Sequence, residues 1–159
     1  MAKSGNKFNT AKVVSVSIAH HIHDIYSSFL APILPVLMEK FSISYALAGL
    51  LNVIQRIPSL FNPFIGMIAD KMSVRYFIIF APALTAVSMS LIGMAPSYIF
   101  VAILLLVTGI SSTLFHVPAP VMIKHVSGNK IGKGMSFYMV GGELARTIGP
   151  VTILGAISL

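Results

Sequence analysis

The chain has 159 residues, 56% hydrophobic and 9% charged, with a mean hydropathy of +0.90 and a formal net charge of +7. A soluble domain devotes about a quarter of its residues to charge, so a water-exposed globule is excluded, and apolar runs that recur to the last residue exclude a single secretory leader ahead of ordinary sequence. The absence of cysteine removes disulfide frameworks, thiol catalysis and cysteine-rich metal sites, and the basic residues fall between hydrophobic stretches, where they set membrane topology rather than bind nucleic acid.

A membrane-spanning helix needs about 20 mainly apolar residues. On that scale the sequence predicts five transmembrane helices, at about 13–38, 44–68, 76–95, 98–122 and 134–157. These runs lack period-2 alternation and are too long for barrel strands. The fold class is an all-α polytopic membrane protein, with residues 1–159 forming one transmembrane domain.

The first span carries AHHIHDIY, with His20, His21, His23 and Asp24 in an otherwise apolar run. At about 1.5 Å per residue, Asp24 falls roughly 17 Å from the start of its helix, near the midplane, and His20 roughly 10 Å in. His20 and Asp24 are i,i+4 and His21 and Asp24 i,i+3, so each pair shares a face, whereas His23 points elsewhere. The second span adds Asn52, Gln55 and Arg56, with Arg56 at the depth of Asp24. The third has no ionisable residue. The fourth has His116, expected in a shallower imidazole layer with His20. In the fifth, Glu143 and Arg146 are i,i+3 and can pair within their helix. Ionisable groups at this depth face a bundle interior or a watery cavity and are functional candidates. A simpler role as glue, with Asp24 paired to Arg56 and Glu143 to Arg146, would need fewer of them.

Pro32, Pro35, Pro58, Pro63, Pro118, Pro120 and Pro150 all fall within spans, where kinked helices suit a moving bundle. Gly141, Gly142, Gly149 and Gly155 give the fifth helix a small-residue side for close approach. Eight Lys and Arg near span ends lie on one side of the membrane and only Lys40 on the other, so the N-terminus is cytoplasmic. The fifth span runs to the last residue without a closing loop, the appearance of a chain that is incomplete.

Three stretches carry a resemblance. GMIADKMSVR, between the second and third spans, resembles the cytoplasmic signature loop of the major facilitator superfamily, with Gly66, Asp70, Lys71 and Arg75 at matching positions and Ser73 and Val74 at departing ones. The first span, with His20, Asp24 and Pro35, and the fourth, with Gly109, Ser112, Phe115 and His116, resemble the fosmidomycin-resistance-like branch of that superfamily. Val117-Pro118-Ala119-Pro120 follows His116 where that branch has a proline and then an acidic residue. Gly149-Pro150 faintly resembles the glycine-proline motif of proton-coupled exporters. The resemblance implies twelve spans in two six-helix halves, this chain being most of the N-terminal half. It also implies that helices one, two, four and five line or flank a central cavity while helix three is peripheral, and that loop 66–75 acts as a gate.

The resulting expectation is a secondary active transporter in the bacterial inner membrane that moves a small organic, anionic solute or drug by alternating access, as a proton-coupled antiporter working in export. Asp24 is the first proton-coupling candidate and Glu143 the second, with His20 and His116 as pH-sensitive partners. Arg56 and Arg146, with His21, Asn52 and Gln55, are the solute-binding candidates. The partners are the solute, the proton, the lipid bilayer and a missing C-terminal half, with no cofactor and no nucleic acid. Divalent-metal transport is the competing reading, because His20, Asp24 and His116 are suitable donor types, although nearby arginines repel a cation. A non-transporting assembly or interaction protein is the other. An enzyme is disfavoured, since no H-E-x-x-H, G-x-S-x-G or phosphate-binding glycine loop occurs.

Overall fold

The computed structural model describes residues 7–69, 71 and 75–158, and the described residues contain helices and no strands. Asp70 of the loop motif lies outside them. The helices are α1 (Thr10–Ser27), α2 (Leu30–Phe41), α3 (Tyr45–Arg56), α4 (Asn62–Ala69), α5 (Arg75–Leu91), α6 (Tyr98–His116), α7 (Pro118–Val126) and α8 (Ile131–Ile157). They make five passages: α1 with α2, α3 with α4, α5, α6 with α7, and α8.

Proline explains why three passages are jointed. Pro32 has no N–H for the carbonyl of Ser28, and the chain turns at Ser28-Phe29 between α1 and α2. Ser28 and Phe29 instead send their N–H groups to the carbonyls of Asp24 and Tyr26, at 3.0 and 3.1 Å. Pro58 sits in a 3₁₀ segment, Ile57–Phe61, that joins α3 to α4, and Pro118 opens α7 directly after Val117. Pro150, by contrast, lies inside α8 without interrupting it.

Side chains fix the helix starts. Asn9 caps α1 by accepting from the Lys12 N–H at 3.0 Å, and Ser44 and Ser97 cap α3 and α6 in the same way. Between α2 and α3 the turn is made at Ser42, in the left-handed region at φ 50°. Two stretches, Arg75–Met94 with a mean hydropathy of 2.0 and Tyr98–Val126 with 2.2, are each long and apolar enough to cross a membrane unaided.

α8 packs along α1, α1 against α5, α5 against α6, and α6 against α3. One apolar core gathers Leu30 and Leu37 of α2, Leu51 of α3, Met89 of α5, and Val101 and Leu105 of α6. A second gathers Val13 and Val16 of α1, Ile78 of α5, Phe115 of α6, Ile123 of α7 and Tyr138 of α8. At the α5–α6 contact, Ser111 Oγ donates to the Ala81 carbonyl at 2.6 Å, so Thr85 must be the donor in its 2.7 Å bond to Ser111. Large apolar side chains, among them Ile18, Phe80, Ile103 and Val151, are exposed around the outside, the arrangement of a bundle whose solvent is hydrocarbon.

Glycines set how closely helices approach. A Cβ at Gly141 would lie 2.6 Å from the Ser17 carbonyl oxygen, one at Gly142 would run into the His20 imidazole, and one at Gly149 would meet Ser28. The small side of α8 is therefore the surface that receives α1. Gly109 does the same for α6, since a Cβ there would collide with the backbone of Gln55. Nothing lies within 4 Å of a Cβ at Gly155, which takes no part in this packing.

Candidate functional site

Asp24 occupies the last full turn of α1 before the Ser28 joint and is 2% exposed. Four cationic or potentially cationic groups converge on its carboxylate. His20 Nε2 stands 3.3 Å from Oδ2, His23 Nδ1 3.0 Å from Oδ1, His116 Nε2 3.1 Å from Oδ1, and an Arg146 guanidinium nitrogen 3.0 Å from Oδ2. A second Arg146 nitrogen donates to Glu143 Oε1 at 3.0 Å, so this arginine bridges both carboxylates.

These contacts correct three expectations. Asp24 pairs with Arg146 rather than Arg56, because the small face of α8 brings Arg146 onto α1 while Arg56 stays across the cavity with no ion pair among the described residues. His23 does not point elsewhere. Its ring is fully buried, stacks on Phe115 with centroids 4.9 Å apart, and turns Nδ1 toward the neighbouring carboxylate. His20 and His116 are not a separate shallow layer: their rings are 5.2 Å apart and both reach Asp24, since one helical turn is only about 5.4 Å and an imidazole spans most of it.

Beside the cluster is a cavity of about 560 Å³. α1 and its joint contribute Asp24, Ser27 and Ser28, and the second passage Gln55, Arg56 and Ser59. α6 contributes Gly109, Ser112, Thr113 and His116, and α8 Arg146. Nothing from α5 reaches it. Among the described residues, two guanidinium groups and no lysine face this space, which suits an anionic group. The other candidates stand apart. His21 donates from Nδ1 to the Gly141 carbonyl at 3.0 Å, and His21, half-buried Asn52 and exposed Glu143 are not among the lining residues. Of the loop positions, Lys71 donates its backbone N–H to the Ile68 carbonyl at 3.0 Å, and Gly66 faces Val117. Sequence reasoning passed over Ser27, Ser28, Ser59 and Thr113; their signal was hydroxyl side chains in otherwise apolar runs.

The hydrogen bonds restrict where protons can sit. His20 Nδ1 lies 2.8 Å from the Tyr138 carbonyl oxygen, which can only accept, so Nδ1 carries a hydrogen. The His20 ring is held there by stacking on the Tyr138 ring at 4.0 Å. The donor atoms of His20, Asp24 and His116 lie within 4.8 Å of one another, close enough for a metal ion. The Arg146 guanidinium, however, already stands at the same carboxylate, and its fixed charge weighs against a divalent cation.

The family model described as Major Facilitator Superfamily matches residues 16–158. The chain belongs to the major facilitator superfamily. Its all-α passages are those of a superfamily N-terminal half-bundle, and its motifs resemble the fosmidomycin-resistance-like branch. Over 138 residues it is 25% identical to the fosmidomycin resistance protein of Escherichia coli (strain K12), covering 86% of this chain and 34% of that protein. Over 142 residues it is 24% identical to YfnC, an uncharacterized MFS-type transporter of Bacillus subtilis (strain 168), covering 87% of this chain and 34% of the relative. The chain thus spans about a third of the length of the curated relatives it matches. No solved structure matches significantly. Superfamily membership points to a membrane transporter rather than an enzyme.

Proposed function

We propose that this chain is the N-terminal half-bundle of a proton-coupled secondary transporter of the bacterial inner membrane, cytoplasmic at its N-terminus, that exports a small organic anion or drug. The observation that carries this reading is the buried Asp24 carboxylate at the wall of the cavity, held by three imidazoles and Arg146. Histidine is the side chain whose charge changes near neutral pH. A proton gained or lost in the cluster changes the charge that Arg146 meets at Asp24, and a solute anion in the cavity draws on the same guanidinium. Proton and solute are then linked through one side chain, as coupling requires. Asp24, His20 and His116 handle the proton; Arg56 and Arg146, with Gln55, bind the solute; Glu143 holds Arg146 when Asp24 releases it. Gly149-Pro150, seated on α1, supports the export direction by its resemblance to exporters.

The test is solute-dependent proton movement in vesicles containing the full-length transporter, read with a pH-sensitive dye. Fosmidomycin, which the E. coli relative is named for resisting, is the first solute to try, followed by other organic anions. The expected result is dissipation of an imposed pH gradient on solute addition, abolished in Asp24→Asn. Solute movement indifferent to the gradient in wild type and variant alike would remove proton coupling.

A further inference from the structure

The two atoms of the cluster that matter most for proton storage have no aligned hydrogen-bond partner. His20 Nε2 and Asp24 Oδ2 are both buried and both orphaned in this sense, yet they stand 3.3 Å apart. With Nδ1 committed as a donor to the Tyr138 carbonyl, a neutral His20 would leave the Nε2 lone pair buried 3.3 Å from a carboxylate oxygen. Two buried acceptors this close repel each other, and a proton on Nε2 turns the same 3.3 Å contact into an attractive ion pair. We infer that the cluster holds its exchangeable proton on His20 Nε2, shared with Asp24 Oδ2, and that Tyr138 and Gly142 are positioning residues that lock the ring for this.

The other histidines are suited to different tasks. His23 donates from Nδ1 to Asp24 Oδ1, which leaves Nε2 buried without a partner; that nitrogen is tolerable as a bare lone pair and costly as an N–H. His23 therefore remains neutral. His116, 33% exposed at its side chain, opens to the cavity and touches Oδ1 at 3.1 Å, so it is the route by which a proton reaches the buried pair. Release breaks the Nε2–H bond with the electron pair left on nitrogen, and the proton passes by Asp24 and His116 to cavity water. Asp24 then depends on Arg146 alone for compensation of charge at Oδ2. The groups facing His20 are Asp24 and His23 on α1, His116 on α6, and Tyr138 and Arg146 on α8, with Glu143 behind Arg146. On α5 the titratable residues are Arg75 and Tyr76, both in its first turn, and neither lines the cavity beside the cluster.

Gly142 is part of the device because a methyl group there would strike the His20 ring and push Nδ1 from the Tyr138 carbonyl. Asp24→Asn acts differently: its amide N–H can donate to a neutral Nε2, so the neutral ring becomes the stable one. Only the role of this proton in transport rests on the proposed function; its location does not.

The experiment is histidine nitrogen NMR on the full-length protein in lipid nanodiscs at neutral pH, with the His20 signals assigned by difference from His20→Gln. Both His20 nitrogens should carry protons in the wild type, and the Nε2 proton should be lost in Asp24→Asn and in Gly142→Ala. His23 should read as neutral with its proton on Nδ1. A wild-type His20 that is neutral at neutral pH overturns the inference, and that measurement needs no variant other than the His20→Gln assignment control. A protonated His20 in a protein that moves no protons would instead sink the transport reading and leave this assignment standing.

Discussion

At the scale of single residues, Asp24 and Arg146 offer the clearest division between structural and coupling roles. Removing one partner of a buried ion pair leaves the other uncompensated, so Arg146→Gln should lower folded yield and thermal stability. With Arg146 half in the cavity at 55% side-chain exposure, we expect about 1–3 kcal/mol rather than the full cost of a dry pair. The double variant Asp24→Asn with Arg146→Gln should recover much of that stability in a thermal melt, while Asp24→Asn with Arg56→Gln should not. A rescue by Arg56→Gln instead would put the wrong arginine on Asp24. His23→Ala should cost about 2–4 kcal/mol, because it removes a fully buried ring from Phe115 and a donor from Asp24. Unchanged melting in detergent would contradict that packing. The sequence made parts of this site legible: spacing alone puts His20 beside Asp24 and Glu143 beside Arg146. It did not give the α1–α8 pairing, which joins residues over a hundred positions apart, nor the inward turn of His23 or the turn of His21 onto the Gly141 carbonyl, because helical periodicity fixes where a Cβ points and not which backbone carbonyl or ring receives the side chain.

At the scale of elements, helix class and approach surfaces were largely readable, since long apolar runs and runs of glycine leave few alternatives. The exact joints were less so: seven span prolines were noted, yet Pro150 bends nothing that interrupts α8 while Pro32 and Pro118 coincide with breaks. At the first joint the Ser28 hydroxyl takes up the Ile25 carbonyl at 2.7 Å, which the Phe29 N–H leaves for that of Tyr26. Close packing yields a graded prediction. Gly109→Ala and Gly141→Ala should each destabilise by about 1–3 kcal/mol, since each added methyl meets backbone that cannot step aside. Gly155→Ala, with open space around it, should be neutral or slightly stabilising through helix propensity. Equal melting temperatures across the three would mean that the small face of α8 is not what brings α1 and α8 together.

At the scale of the whole molecule, the outer surface is apolar and the cavity wall is charged, so the 1–159 chain expressed by itself should self-associate or be degraded. A stable monomer in mild detergent would contradict this. Loop 66–75 is proposed as a gate latch. Asp70→Asn in the full-length transporter should then lower transport severalfold with insertion unchanged, and full activity in correctly inserted protein would reject the latch. The two joints next to the cluster have a mechanical consequence. α1 ends at Ser27, one turn past Asp24, and α6 ends at His116 itself, so the 3.1 Å contact between these two side chains couples the tips of two levers whose pivots lie immediately beyond them. Movement at either pivot therefore changes the separation of these two side chains directly, which ties the charge balance of the cluster to the bend of the jointed passages.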